Sequence, residues 1–97
     1  MPAYILAEIG EIHDQAMYDR YRAQTPGVIG KFGGRFLVRG GKTEAAEGDW
    51  LPGRLVVIEF PDMATAKRFY ASPDYRKILP LRLEASRGGK VIFAEGV

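Results

Sequence analysis

The sequence predicts an α+β domain in which a four-stranded antiparallel sheet carries helices on one face. Three observations lead to this prediction. Short runs rich in β-branched and aromatic residues have the alternating or continuous apolar character of strands. Segments with helical spacing and plausible N-caps lie between the first and second runs and between the third and fourth. Glycine pairs and Pro-Gly turns separate these elements, and the 97 residues suit one domain covering 1–97.

The N-terminal half is predicted to form a strand, a helix and a second strand. The first strand covers residues 3–9. Asp14 is the predicted N-cap of the helix, because its carboxylate can accept the free backbone N–H groups of the first turn. Pro26-Gly27 is predicted to break or kink this helix. The second strand, RFLVR at 35–39, lies between two glycine pairs.

The C-terminal half contains two further capping signals. Asp62 can cap one helix, and Ser72-Pro73 supplies a second cap with a proline in the first turn, where no N–H is needed. Pro80 is predicted to kink the helix that follows. The predicted elements are a polar connector (42–53), a strand (54–60), a helix (63–71), a second helical segment and a last strand (91–95).

The resulting order of strand, helix, strand, strand, helix and strand is the ferredoxin-like split βαβ arrangement. Both helices then cover one face of the sheet. Placing Arg39 or Glu59 under the helices would bury a charge at high cost, and this sets which face each strand residue occupies. The helix-covered face is predicted to carry Ile5, Ala7, Phe36, Val38, Val56, Ile58, Ile92 and Ala94.

The opposite, open face of the sheet is still rich in large apolar side chains. Burying four of them is worth about 6–12 kcal/mol at about 1.5–3 kcal/mol each, which rivals the stability of a small domain. The sequence therefore predicts a homodimer that joins open face to open face, with a mostly apolar cleft between the sheets. The residues assigned to the open face are Tyr4, Leu6, Glu8, Arg35, Leu37, Arg39, Leu55, Val57, Glu59, Val91, Phe93 and Glu95.

Composition excludes several classes of function. The chain has no cysteine and one histidine without metal-ligand spacing, so it predicts no disulfide, no metal site and no cofactor. No apolar run is long enough to span a membrane and no secretory signal is visible, which predicts a cytoplasmic protein without a membrane partner. Acidic residues interrupt the basic ones in a balance of 14 to 12, so no nucleic-acid partner is predicted.

Two arginines on the second strand are candidate ligand-binding residues. If the second and third strands pair symmetrically, Arg35 lies opposite Glu59 and forms an ion pair with it. Arg39 then lies opposite Leu55 without an acidic partner. An unpaired guanidinium beside Tyr4 suits a carboxylate or enolate ligand, although an arginine at the rim of the sheet can also point to solvent.

Three residues are candidates for proton transfer or for charge stabilisation. Glu59 could act as a general base in an apolar cleft, but the ion pair with Arg35 is the competing interpretation. Tyr4 could donate a hydrogen bond to an oxyanion or could pack in the dimer interface. His13 is the only histidine and the remaining acid–base candidate, against the alternative of a surface residue at a helix start.

Four stretches of the chain resemble one known family. GGRFLVRGG, WLPGRLVVIEFPD, AKRFYASPDYRKILPLR and VIFAEG are similar to the family catalogued as domain of unknown function 1330, in order and spacing over nearly the whole chain. The resemblance implies membership of the dimeric α+β barrel superfamily. Wider relatives in that superfamily include cofactor-free antibiotic-biosynthesis monooxygenases, muconolactone isomerases, haem-dependent chlorite dismutases and stress-responsive barrel proteins. It implies the fold and the dimer, but no catalytic residue.

Two functions remain open at this point. The first is a homodimeric barrel that binds a small aromatic or carboxylated metabolite beside the sheet, with Arg39, Tyr4 and Arg35 as ligand-binding residues. As an enzyme, it would be a cofactor-free isomerase or monooxygenase using Glu59 or His13. The second is a non-catalytic module that senses a ligand or serves only as a structural dimer.

Overall fold

One four-stranded sheet, one two-stranded sheet and three helices make up the computed structural model, which describes all residues from Met1 to Val97. None of the helices is long and apolar enough to cross a membrane. In chain order the elements are β1 (Ala3–Ile9), β2 (Glu11–Ile12), α1 (Gln15–Lys31), β3 (Arg35–Arg39), β4 (Arg54–Phe60), α2 (Met63–Ala71), α3 (Pro73–Ala85), β5 (Ser86–Arg87) and β6 (Lys90–Glu95).

The four-stranded sheet has the order β3-β4-β1-β6, and every neighbouring pair is antiparallel. This is the ferredoxin-like arrangement, so the predicted fold class is confirmed. Strand β1 lies at the centre and pairs with β4 along its whole length, from Ala3 opposite Phe60 to Ile9 opposite Arg54. The small β2–β5 sheet was not predicted, because two-residue strands leave no periodicity to detect.

The hydrophobic core lies between the four-stranded sheet and the three helices. Strand β1 alternates buried and half-buried residues along its length, as expected for a strand with one face on the core. Strand β4 does the same from Val56 to Phe60. The aromatic rings of Phe60, Phe69 and Tyr75 stack next to one another, with ring centroids 5.1 and 4.7 Å apart, and join β4 to both α2 and α3.

All three predicted N-caps are present. Asp14 accepts a hydrogen bond from the Met17 N–H at 3.0 Å, and Asp62 accepts one from the Thr65 N–H at 2.7 Å. Ser72 Oγ accepts from the Tyr75 N–H at 3.1 Å and donates to the Phe69 carbonyl at 2.8 Å. This one side chain therefore ends α2 and begins α3, which fixes Tyr75 in the first turn of α3.

The predicted break of the first helix at Pro26-Gly27 is wrong. Helix α1 continues through both residues to Lys31, and α3 likewise continues through Pro80 to Ala85. A proline withholds one helical N–H, but packing against the sheet and local side-chain bonds can hold the remaining turns together. One such bond joins the Thr25 hydroxyl to the Arg22 carbonyl at 3.2 Å.

The predicted faces of β1 and β4 are confirmed, but those of β3 and β6 need correction. In β3, one extra residue between Phe36 and Val38 forms a bulge, so Val38 lies opposite Val57 and Arg39 opposite Val56. Val38 therefore belongs to the open face and Arg39 to the helix-covered face, the reverse of the prediction. In β6, pairing with β1 also reverses the prediction: Val91, Phe93 and Glu95 lie on the helix side, whereas Ile92 and Ala94 lie on the open face.

The glycine pair before β3 serves a close approach between elements. Gly33 has φ +71°, a conformation that favours glycine. A Cβ on Gly34 would lie 2.6 Å from Cε1 of Phe60 and 2.8 Å from Cγ2 of Ile29. Glycine at this position lets the chain turn from α1 into the sheet directly against the core.

Ser72→Ala should destabilise the fold because it removes a helix cap and a buried hydrogen bond together. We expect the free energy of unfolding, measured by urea denaturation, to fall by about 1–2 kcal/mol. Ser86→Ala is the control, since the Ser86 hydroxyl only donates to the Arg82 carbonyl at a helix end. A Ser72→Ala protein as stable as the Ser86→Ala protein would contradict the double role of Ser72.

Candidate ligand-binding site

A cavity lies on the helix-covered side of the sheet, between α1, α3 and the inner residues of β1, β3 and β4. The centre of a water molecule can occupy about 40 Å³ of it. No carboxylate lines the cavity. Its walls combine aliphatic core residues with two other groups. One is the aromatic residues Tyr18, Tyr21, Phe36, Phe69, Tyr70 and Tyr75, and the other is the arginines Arg22, Arg39, Arg54 and Arg82.

Arg82 is the most deeply buried of these arginines, at 5% exposure. It follows Tyr75, Ile78 and Leu79 on the inward stripe of α3, which places the charge under the helix layer. Its Cζ lies 5.9 Å from the ring centroid of Tyr21. Burial alone would lower the pKa of Arg82, but the phenol oxygens of Tyr75 and Tyr21 raise it above the ordinary value, so the cation is retained.

A pair of tyrosine hydroxyls joins α1 to α3 beside Arg82. The hydroxyl oxygens of Tyr21 and Tyr75 are 2.8 Å apart, which is a hydrogen-bond distance. Burial and the neighbouring Tyr75 raise the pKa of Tyr21 well above its usual value of 10. The Tyr21 phenol is therefore protonated at neutral pH, and the pair can offer an O–H to an oxygen in the cavity.

Arg54 is held at the cavity by two contacts. Its Nε donates to the Tyr18 hydroxyl at 3.1 Å, and its guanidinium packs on Gly40 at the end of β3. Gly40 has φ +73°, and a Cβ there would lie 2.2 Å from Nη1 of Arg54. The glycine after β3 thus makes room for an arginine as well as for a turn.

Arg39 reaches the cavity from the end of β3 and contacts α1. Its Nη2 donates to the Arg22 carbonyl and lies 3.5 Å from the Thr25 hydroxyl. Its Cζ stands 4.5 Å from the ring centroid of Phe36. Burial, together with the positive charges of Arg22 and Arg54, lowers the pKa of Arg39, which shows that the local potential disfavours a further cation.

The charged residues that line the cavity are therefore all positive. The molecule contains four ion pairs, and none includes Arg39, Arg54 or Arg82. Guanidinium groups stay charged in proteins, and a partly buried cation is stabilised by an opposite charge. The arrangement can bind an anion, with guanidinium and phenol donors for its oxygens and aromatic rings for an apolar body.

Three other predicted site residues form a separate network on the open face. Arg35 lies opposite Glu59, and its Nε donates to Glu59 Oε1 at 2.8 Å, which confirms the predicted ion pair. Tyr4 donates to the other carboxylate oxygen at 3.3 Å. Arg39 contacts neither Tyr4 nor Glu59, because the bulge turns it to the opposite side of the sheet. The predicted grouping of Arg39 with Tyr4 is wrong.

His13 lies apart from both networks. Its side chain is exposed, and its backbone N–H donates to the Ala85 carbonyl at 2.9 Å. No cluster of histidine and acidic residues in the chain could hold a metal ion.

Sequence reasoning missed most of the cavity residues. It proposed no functional role for the tyrosines Tyr18, Tyr21 and Tyr75 or for Arg54 and Arg82. A signal was present, because Arg82 falls on the stripe of every third or fourth residue that α3 buries. A cation on such a stripe is unusual in a helix of this kind and marks a polar feature under it.

Comparison with known proteins agrees with this architecture. The sequence model of the family described as "Domain of unknown function (DUF1330)" matches residues 2–97, as the quoted stretches indicated. No curated protein matches the sequence significantly.

Three solved structures illustrate the fold. A protein of unknown function from Rhodopseudomonas palustris is similar at a TM-score of 0.77 and 18% identity, over 99% of this chain and 82% of its own. A dimeric ferredoxin-like protein of unknown function from Jannaschia sp. CCS1 gives 0.71 and 15%, over 99% and 100%. An antibiotic biosynthesis monooxygenase gives 0.57 and 22%, over 100% and 99%. At these identities the likeness shows the fold.

The buried phenol of Tyr21 should make stability fall at high pH. The pKa of Tyr21 is higher in the folded protein than in the unfolded chain, where it is about 10. The protonated phenol therefore contributes fully to stability below the pKa of the unfolded chain. This contribution is lost as pH rises through the pKa of the folded protein. Over that range the free energy of unfolding should fall by up to about 1.4 kcal/mol per pH unit. Urea denaturation from about pH 9 upward should show a shallower fall for Tyr21→Phe.

Tyr4→Phe is the matched control for this experiment, since its hydroxyl binds Glu59 on the open face. It leaves the Tyr21–Tyr75 pair intact, so the fall in stability that Tyr21 causes should persist. Equal slopes in the wild-type and Tyr21→Phe proteins would contradict the raised pKa.

Proposed function

The chain belongs to the DUF1330 family, and we propose that it is a homodimer in which each subunit binds a small aromatic or carboxylated anion in the cavity under its helices. The observation that carries the proposal is the buried guanidinium of Arg82, which no carboxylate of the chain neutralises. A bound anion would supply that charge. The other two unpaired arginines, Arg39 and Arg54, approach the same space from the β3–β4 side.

The size of the cavity favours a small anionic group. Its volume of about 40 Å³ is far below the roughly 300–1,000 Å³ of sites that hold drug-sized ligands. A carboxylate group fills such a space. The half-buried rings of Phe36 and Tyr70 form part of the wall and would have to move for the body of an aromatic acid to enter. Their faces would then contact the ring of the ligand.

A second candidate function is catalysis on the bound anion, as a cofactor-free isomerase or monooxygenase. The hydrogen-bonded Tyr21–Tyr75 pair favours it, since a protonated phenol beside a guanidinium can stabilise an enolate oxygen. The monooxygenase among the structural neighbours supports the same class by analogy of fold. Glu59 and His13 lie away from the cavity, so tyrosine and arginine side chains would carry this chemistry in place of the predicted base.

The open face of the sheet supports the dimer. It presents the apolar side chains Leu6, Val38, Leu55, Val57 and Ile92, which no helix covers. Ile92 is 58% exposed and Leu37, at the bulge, is 46% exposed. Two structural neighbours are described as dimeric ferredoxin-like proteins. In this dimer the Arg35–Glu59–Tyr4 network would lie within the interface, and a purely structural dimer would need nothing beyond this face.

Ile92→Lys should convert the dimer to a monomer without unfolding it. Ile92 is exposed in the single chain, so the lysine costs the subunit little, but in the dimer it would bury a charge. Leu83→Lys is the control, because Leu83 is equally exposed, at 59%, on the outer side of α3. Sedimentation equilibrium should give a monomer for Ile92→Lys and a dimer for Leu83→Lys and wild type. A dimeric Ile92→Lys protein with native circular dichroism would place the interface elsewhere.

Ligand binding can be tested by thermal shift with benzoate and other aromatic acids, using benzamide as the uncharged counterpart. A ligand present at about 100 times its dissociation constant adds about 2.7 kcal/mol, a shift on the order of 10 °C for a domain of this size. The shift should disappear in Arg39→Leu and Arg82→Met and persist in the control Arg35→Leu, on the other face. The melting temperature of each free variant is measured as well, so that a lost shift is distinguished from a lost fold.

Two results would contradict the cavity as the binding site. One is the absence of a shift with every acid tested, which would favour the structural dimer. The other is a shift lost in Arg35→Leu and kept in Arg39→Leu, which would move the ligand to the open face.

A further inference from the structure

We propose that Pro26 is a positioning residue for Arg39: by withholding its N–H from helix α1, it leaves the Arg22 carbonyl free to hold the Arg39 guanidinium at the cavity. The role assigned to Arg39 rests on the anion binding proposed above. The contact between helix and arginine does not depend on it.

The first step concerns the helix. In an α-helix the carbonyl of residue 22 accepts the N–H of residue 26, but proline has none, and its ring crowds that carbonyl. Helix α1 nevertheless continues through Pro26. The Arg22 carbonyl accepts instead from two side chains, the Thr25 hydroxyl and Nη2 of Arg39. Its two lone pairs are then both in use.

The second step concerns the guanidinium. Arg39 uses only Nη2 in hydrogen bonds to the protein, so the N–H groups of Nε and Nη1 carry no protein partner. A carboxylate can accept a hydrogen bond from either of these N–H groups. Arg39 lines both the inner cavity and an outer groove formed with Asp19, Arg22, Ala23 and Pro26. It therefore forms the wall between the two spaces.

The third step concerns competition for the carbonyl. With alanine at position 26, a helical N–H would return to the Arg22 carbonyl, where two donors already use both lone pairs. Thr25 belongs to the same helix, whereas Arg39 is brought from another element against the repulsion of Arg22 and Arg54. Arg39 is the donor that would leave. A proline in this one place thus fixes a side chain of the neighbouring strand.

Pro80 provides a matched control. It lies inside α3 and withholds an N–H from the Arg76 carbonyl in the same way. No side chain of another element donates to that carbonyl, and Pro80 does not line the cavity. Pro80→Ala therefore changes the helical bonding of α3 without touching Arg39.

The test compares Pro26→Ala, Pro80→Ala and wild type in two measurements. The first is the dissociation constant for benzoate, by calorimetry. It should rise about tenfold in Pro26→Ala, as expected when a preorganised donor is released, and stay within about twofold in Pro80→Ala. Thermal melting should show Pro26→Ala to be as stable as wild type or more so, which separates lost positioning from lost folding. Unchanged benzoate affinity in a folded Pro26→Ala protein would overturn the positioning role.

The second measurement needs no ligand. Phenylglyoxal modifies free guanidinium groups, and the extent at each arginine is measured by mass spectrometry of peptides, with exposed Arg87 as internal reference. Arg39 should react several-fold faster in Pro26→Ala than in wild type or Pro80→Ala. Equal rates would overturn the inference. If wild type fails to bind benzoate but Arg39 reacts faster in Pro26→Ala, the proposed anion site fails and the contact made possible by Pro26 stands.

Discussion

The buried charge of Arg82 constrains the way in which the helices sit on the sheet. A guanidinium under the helix layer cannot be packed like the leucine or isoleucine that precede it on α3, because its N–H groups require oxygen atoms. Tyr75 supplies a phenol oxygen from α3, and its hydrogen bond to Tyr21 ties α3 to α1. The space left among these polar groups is the cavity. Residues that line the cavity thus also join α1 to α3.

The same reasoning explains why the sheet uses its two faces differently. On the inner face of β1, alanines alternate with isoleucines, so the central strand leaves room for the large rings and guanidinium groups above it. On the outer face Arg35 forms an ion pair with Glu59. Three arginines without a carboxylate partner, Arg39, Arg54 and Arg82, line the cavity on the inner side. Such a division suits a face that packs on another protein surface and a cavity that receives an anion.

The sequence alone predicted the order and most bounds of the elements. Caps such as Asp14 and Ser72 have a local mechanism, and the apolar pattern of β1 and β4 sets their faces without reference to the rest of the fold. The faces of β3 and β6 were not predictable in the same way. The short strand β3 has apolar residues on both faces, so its pattern does not reveal an inserted residue, and the parity of β6 depends on its register with β1.

The candidate site was only partly predictable, for a related reason. Arg39 could be picked out as an arginine without an acidic partner, but its neighbours depend on a bulge that no local signal announces. Arg54 is placed at the cavity by tertiary contacts with Tyr18 and Gly40, which the sequence does not reveal. Arg82 differs from these two arginines, because its position on the buried stripe with Ile78 and Leu79 follows from the helical spacing in the sequence. Sequence periodicity shows which face of a helix or strand carries a charge, but it does not show which charges from different elements meet in one cavity.

The bulge in β3 also matters for how homologous chains are compared. One extra residue between Phe36 and Val38 gives Arg35 and Arg39 opposite environments, although their spacing of four would normally place them on the same face. A relative without the extra residue would carry its downstream arginine on the open face of the sheet. Matching the two chains position by position, without a gap at Leu37, would equate a cavity residue with a residue of the open face. Alignments of this segment should therefore be anchored on the strand pairing with β4.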